Sequence, residues 1–254
     1  MRSGDNDSAT TVDSMYNGAL VLEQPRKGYR FSVDAPLLAA FASARFSKRV
    51  IDLGAGCGVV GLGIMHLKAC RHLTMVEIQP ALAALAESNA ARNGFSGVCT
   101  TLNMDLRKLK PESGHGEYDL VVVNPPYQPV GEGRPPEDEE RRIARTREKL
   151  SMSELAAAVN RIMKPKGTAA IIHAAGRMDE LIIALGEQKL HPSRMCLCHP
   201  KQGESAELVL IEAARGKGGH MNVQAPWILH DAGGEDSPLL KAILTGRIHH
   251  HPCA

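Results

Sequence analysis

Short apolar runs alternate with amphipathic stretches through most of the chain, and their lengths are those of strands and helices. Val50-Ile51-Asp52-Leu53 reads as a strand stopped by Gly54-Ala55-Gly56-Cys57-Gly58, and Val59 to about Lys68 reads as a helix. Leu73 to Ile78 is a second strand, followed by a helix that opens at Pro80 and stops at Asn93-Gly94. Val98 to Asn103 is a third strand, and Asp119 to Val123 a fourth that ends at Asn124-Pro125-Pro126-Tyr127. Ser151 to Met163 is predicted helical, Pro165-Lys166-Gly167 a turn, and Thr168 to His173 a fifth strand. Gly176 to Leu190 reads as helix, then Arg194 to Cys198, Glu207 to Ile211 and Val223 to His230 as strands. Upstream, Asp34 is placed to cap a helix with Pro36 in its first turn and Leu37, Leu38 and Phe41 on its apolar side.

Strands and helices alternating at these spacings predict βαβ units: an α/β fold with a mostly parallel sheet and helices on both faces. Two late strands joined without a helix predict an antiparallel pair at one edge. Small polar residues at the start predict a flexible tail over 1–13, then one domain over 14–235 and a C-terminal tail over 236–254.

Composition narrows the function rather than the fold. The 254 residues suffice for one sizeable domain, and 43% hydrophobic with 23% charged residues exclude a wholly disordered chain. Thirty basic against 28 acidic residues leave a net charge of +2, so nucleic acid cannot be bound by bulk charge and would need a local basic patch. The first residues hold no apolar signal core and no apolar run approaches membrane-spanning length, so no membrane association and a cytoplasmic location are expected. The six cysteines are scattered and expected to be reduced. Cys196-x-Cys198-His199 has no second ligand pair at zinc spacing, and no metal is expected.

The glycine loop lies between a strand and a helix, where glycines let backbone approach a ligand and the helix presents free N–H groups. Glu77, at the end of the next strand, follows Gly56 by 77 − 56 = 21 residues, the offset of an acidic residue that bonds ribose hydroxyls. A nucleoside-bearing ligand is expected. Gly56-x-Gly58-x-x-Gly61 also satisfies the dinucleotide pattern, leaving a nicotinamide-dependent oxidoreductase open. Asp105 closes the third strand, suited either to an adenine amino group or to capping a turn.

Asn124-Pro125-Pro126-Tyr127 leaves the fourth strand at the same C-terminal sheet edge, where open α/β sheets bind ligands. Two prolines stiffen the loop and leave it rich in carbonyl acceptors; Asn124 adds an amide oxygen and Tyr127 a stacking face. Such a set can take both N–H bonds of a planar amino or amide nitrogen and point its lone pair at an electrophile.

Together these residues resemble class I S-adenosylmethionine-dependent methyltransferases acting on amino or amide nitrogen. GYRFSVDAPLLAAFA, ERRIAR, HPKQGESAELVLIEAARG and VQAPWILHD resemble the bacterial tRNA1(Val) adenine-N6 methyltransferase family, from about Gly18 to Asp231. The resemblance implies a doubly wound, seven-stranded, Rossmann-like sheet with an antiparallel edge strand, S-adenosylmethionine as cofactor, and RNA, transfer RNA foremost, as partner. It implies that Asp52, Gly54, Ala55, Gly56, Glu77, Ile78, Asp105 and Leu106 bind the cofactor, with Asn124 shared. Tyr29, Phe31 and Asp34 would close over its methionine end. Asn124, Pro125, Pro126 and Tyr127 would hold the target adenine, and Arg26, Lys27, Arg30, Arg141, Arg142 and Arg145 would meet RNA phosphates. The same pocket suits a glutamine amide of a protein such as a release factor, or a guanine amino group. A non-catalytic RNA-binding module is a further reading, and monomer and homodimer both remain open.

Overall fold

The computed structural model describes residues 9–26, 32–111, 117–125, 150–216 and 219–247. Its centre is a nine-stranded sheet built on a parallel run: β3 (Ser47–Leu53), β4 (Cys70–Glu77), β5 (Cys99–Asn103), β6 (Tyr118–Val123) and β7 (Met163–Ala174). Across the sheet these stand in the order β7-β6-β3-β4-β5, so the chain reverses its winding direction between β3 and β6. Such a switch leaves a crevice at the strands' C-terminal ends.

Beyond β7 the sheet continues with β9 (Leu208–Arg215) and then β8 (Leu190–Lys201). The expected antiparallel pair is present, and β9 is the reversed strand, antiparallel to both β7 and β8. Two short strands, β10 (Asn222–Val223) and β11 (Trp227–His230), add to β8 and take the sheet from the expected seven strands to nine. The single last strand expected over 223–230 is thus two, because Ala225-Pro226 interrupts it and Pro226 offers no N–H to a ladder.

Six described helices flank the sheet: α1 (Asp34–Ala42), α2 (Val59–His66), α3 (Pro80–Arg92), α4 (Met152–Ile162), α5 (Met178–Glu187) and α6 (Pro238–Leu244). The central strands are apolar on both faces, as a covered parallel sheet requires. Val50, Leu120, Val122, Ala170 and Ile172 pack with α1, α2, α3 and α6. Ile51, Leu53, Val121, Val123 and Ile171 pack with α4 and α5. The Ser151-x-x-Glu154 capping box starts α4, with Ser151 Oγ accepting the Glu154 N–H at 3.1 Å and Glu154 Oε2 accepting the Ser151 N–H at 2.9 Å. Among the described residues no helix is long and apolar enough to cross a membrane.

Four local expectations change. Thr10–Met15, mostly assigned to the tail, is β1, and it pairs antiparallel with β2 (Leu20–Pro25). The hairpin holds because Leu20 and Leu22 alternate into the core. Its turn passes through Tyr16, Asn17 and Gly18, all at positive φ. At the other end, α6 lies within the expected C-terminal tail; Ser237 caps it, Pro238 opens it, and Leu240 and Ile243 are buried. Pro165-Lys166-Gly167 lies inside β7 and not in a turn. A bulge opposite Tyr118 accommodates it, and a Cβ on Gly167 would stand 2.8 Å from the Tyr118 carbonyl oxygen. Finally, α1 starts one residue early: Val33 occupies the cap position, and Asp34 is the first helical residue without a capping side-chain bond.

Candidate cofactor and target site

At the C-terminal ends of β3 and β6 lies a small pocket lined by Ala35, Asp52, Gly54, Ala55, Cys57, Val59, Val60 and Asn124. Three of the expected cofactor residues and the first residue of the proline motif therefore share one cleft. Ala35, Cys57, Val59 and Val60 were not singled out as ligand contacts in the sequence. Each lies beside a marked residue or loop, which was the available signal.

The glycines of the loop divide by role. Gly54 and Gly56 sit at φ +73° and +57°, and a Cβ on either would meet nothing within 4 Å, so the backbone there faces open space. Gly58 also has positive φ, but a Cβ on it would come 2.9 Å from Met75 Sδ. A Cβ on Gly61 would come 2.9 Å from Leu73 Cδ1 and 3.1 Å from Asp52 Oδ2. The first two glycines leave room for a ligand; the last two let α2 lie close on the sheet.

Two buried carboxylates hold the loop. Glu77 Oε2 accepts the Gly56 N–H and Oε1 the Gln79 N–H, each at 2.9 Å. Each oxygen retains acceptor capacity, since a carboxylate offers about four lone-pair positions. Asp52 Oδ2 accepts the Gly61 N–H at 2.8 Å. Burial pushes its carboxyl up to about 7; the Gly61 N–H opposes that rise and the Glu77 charge adds to it. Burial also pushes the Cys57 thiol up to about 11, so it lines the cleft as a neutral side chain.

Beside Glu77, Ile78 is exposed although apolar, a surface on which a flat ring can lie. Asn103 Nδ2 donates to the Glu77 and Ile78 carbonyls at 2.9 and 3.1 Å, fixing this strand end. Asp105 caps a single 3-10 turn that begins at Leu106, accepting the Arg107 N–H at 2.9 Å. The Arg107 guanidinium bonds both of its oxygens, at 2.6–3.0 Å, and holds its carboxyl below the usual range. The turn-cap role is thus present in the structure, with Leu106 alongside it.

Asn124 and Pro125 leave β6 at the pocket, and Pro125 is buried. Pro126, Tyr127, Tyr29, Phe31, Lys27, Arg30, Arg141, Arg142 and Arg145 lie outside the described residues. Arg26 follows β2 and its N–H donates to the Ala9 carbonyl at 2.9 Å. Cys196 and Cys198 are buried in β8, facing the α1 side of the sheet. Among the described residues no three His, Cys, Asp or Glu side chains gather as metal ligands would.

This geometry fits S-adenosylmethionine: an open glycine backbone at a strand–helix junction, a buried carboxylate with acceptors to spare, and an exposed apolar residue beside it. The chain is 27% identical over 215 residues to a tRNA1(Val) (adenine(37)-N6)-methyltransferase of Aeromonas hydrophila, covering 84% of this chain and 87% of that one. It is 28% identical over 182 residues to the enzyme of the same name from Bacteroides fragilis, covering 72% and 76%. A crystal structure of a predicted O-methyltransferase from Agrobacterium tumefaciens superposes with a TM-score of 0.66 at 25% identity, covering 84% of this chain and 96% of that one. The family model of the methyltransferase small domain matches residues 32–164, just over half of the chain. The cofactor is S-adenosylmethionine, and the chain belongs to the methyltransferase small domain family.

Proposed function

We propose that the protein transfers a methyl group to the exocyclic N6 of an adenine in RNA, most specifically transfer RNA near the anticodon. The observation that carries the reading is the place of Asn124, which ends β6 in the same pocket as Gly54, Ala55 and Asp52. The names of the Aeromonas and Bacteroides relatives supply the choice of adenine and of transfer RNA. Family membership sets aside the nicotinamide oxidoreductase that Gly56, Gly58, Gly61 and Glu77 also allowed.

When bound, S-adenosylmethionine supplies an electrophilic methyl group on a sulfonium. Gly54, Ala55 and Gly56 would pass beneath it, and Glu77 would take the ribose hydroxyls with the lone pairs left by Gly56 and Gln79. Ile78 and Leu106 would flank the adenine ring, and Asp105 would take its amino group by giving up part of the Arg107 clasp, which with the Arg107 N–H occupies both of its oxygens. Asp34 and Asp52 would face the methionine end.

An adenine amino group is a poor nucleophile because its lone pair is delocalised into the ring. The Asn124 amide oxygen and the Pro125 carbonyl would accept its two N–H bonds, favouring a pyramidal nitrogen with its lone pair aimed along the transfer direction. The same acceptors stabilise the positive charge that grows on nitrogen. Tyr127 and Pro126 would hold the ring in place, as stacked bases are held. A dedicated base is unnecessary, since the methylated cationic nitrogen is acidic and releases its proton to water. Arg26, Lys27, Arg30, Arg141, Arg142 and Arg145 would bind phosphates, making the interaction salt-sensitive.

The test offers labelled S-adenosylmethionine to total bacterial transfer RNA, ribosomal RNA and a release-factor protein in parallel, with nucleosides identified by mass spectrometry. N6-methyladenosine in transfer RNA is the expected product. Label in protein, or N2-methylguanosine in RNA, would overturn the reading. Asn124→Ala should reduce turnover at least a hundredfold while affinity for S-adenosylhomocysteine stays within threefold of wild type, and retained turnover would refute the acceptor role.

A further inference from the structure

Helix α3 carries Asn89 and Asn93 one turn apart, and both turn their amides to the edge of β2 that β1 does not use. Asn89 Oδ1 accepts the Glu23 N–H at 2.7 Å and its Nδ2 donates to the Glu23 carbonyl at 2.9 Å. Asn93 repeats the pattern two residues back along the strand, accepting the Val21 N–H at 2.9 Å and donating to the Val21 carbonyl at 2.7 Å. The match is geometric. Four helical residues rise about 6.0 Å, and two strand residues span about 6.6 Å. Two side-chain amides on a helix thus stand in for a neighbouring strand, and the outer edge of β2 is paired.

The two amides differ in their second donated bond: that of Asn93 stays within the helix, on the Asn89 carbonyl at 2.7 Å. That of Asn89 goes to the Cys57 carbonyl at 2.9 Å, inside the glycine loop between Gly56 and Gly58. Asn89 is fully buried, and this bond uses the last donor of its amide. The other side of that loop is held by Glu77 through the Gly56 N–H. The loop is therefore fixed from two directions, by a carboxylate on a donor and by an amide on an acceptor.

We propose that Asn89 is a positioning residue for the cofactor loop, coupling it to β2, so that the loop and the hairpin upstream of α1 are set as one unit. The proposal rests on the cofactor assignment and not on the choice of RNA or adenine. Without the amide the Cys57 carbonyl is buried with no partner, and the peptide following Cys57 loses the bond that aims it.

The test compares Asn89→Asp with Asn93→Asp, two near-isosteric changes that remove the same kind of donor one helical turn apart. Stability is measured by urea unfolding and affinity for S-adenosylhomocysteine by calorimetry. Asn89→Asp should weaken binding at least tenfold, while Asn93→Asp stays within twofold at a comparable loss of stability. Equal effects of the two variants on affinity, or none, would overturn the proposal. Hydrogen exchange on the wild-type protein covers the case in which Asn89→Asp does not fold. S-adenosylhomocysteine should slow exchange at Gly56 and, with it, at the Glu23 N–H held by Asn89. Protection of Gly56 with Glu23 unchanged would refute the coupling. Wild-type protein that binds no S-adenosylhomocysteine would instead refute the cofactor assignment beneath it.

Discussion

Replacing Asp52 with asparagine isolates the cost of holding a carboxylate under the glycine loop. The side chain is 1% exposed and burial raises its carboxyl from an ordinary 3.8 to about 7. In the folded protein the group keeps its proton over a range in which the unfolded chain has already lost it. Stability from this residue therefore falls as pH rises from about 4 to about 7, and levels off above that. At about 1.4 kcal/mol per unit, the contribution is about −2 kcal/mol at pH 5 and about −4 kcal/mol at pH 8. The amide of the Asp52→Asn variant would keep an acceptor for the Gly61 N–H and carry no titration. Urea unfolding of both proteins, followed by circular dichroism at pH 5, 6, 7 and 8, should show the variant gaining about 2–3 kcal/mol on wild type across that range. Carboxyls held below their usual range, such as Asp105 and Asp119, act in the opposite sense and cancel in the difference. Parallel stability curves for the two proteins would refute the buried-acid argument.

Three further outcomes follow from the same geometry. Glu77→Gln replaces an acceptor that faces the Gly56 and Gln79 N–H groups with an amide that can satisfy only one of them; affinity for S-adenosylhomocysteine should fall at least tenfold by calorimetry. Gly58→Ala combines φ +91° with a Cβ 2.9 Å from Met75 Sδ and should cost about 2–4 kcal/mol in urea unfolding. Leu240→Ala empties a buried position on α6 and should cost about 2–4 kcal/mol by the same assay, where a change under about 0.5 kcal/mol would show that α6 is not part of the core.

The central sheet was legible because its strands are buried on both faces and read as unbroken apolar runs, Val121-Val122-Val123 above all. The cleft was legible because strand ends deliver Gly54, Glu77 and Asn124 to one edge whatever the intervening detail. The N-terminal hairpin was hidden by its composition: TTVDSM is polar because β1 turns much of its surface to solvent, and the pairing that makes it a strand is supplied by β2. Pro165-Lys166-Gly167 has turn chemistry, and it falls in the bulge between the Tyr118–Met163 and Leu120–Thr168 pairs, so the strand resumes beyond it instead of turning back. Asn93 carried the signal of a helix stop, and it does end α3. Its second use, and that of Asn89, depends on a strand 72 and 66 residues away and leaves no local trace. Arg107 likewise gave no sign in the sequence that it would clasp Asp105.

The two ends of the fold meet. The Tyr16 N–H donates to the Leu244 carbonyl at 3.1 Å, and a Cβ on Gly246 would lie 3.1 Å from the Tyr16 ring. The β1–β2 turn is thus completed by α6, the last of the described helices, which a ribosome delivers after everything between them. During synthesis the central strands and the glycine loop can assemble while the hairpin still lacks part of its seat. The seat of the hairpin is then completed when α6 closes over Tyr16.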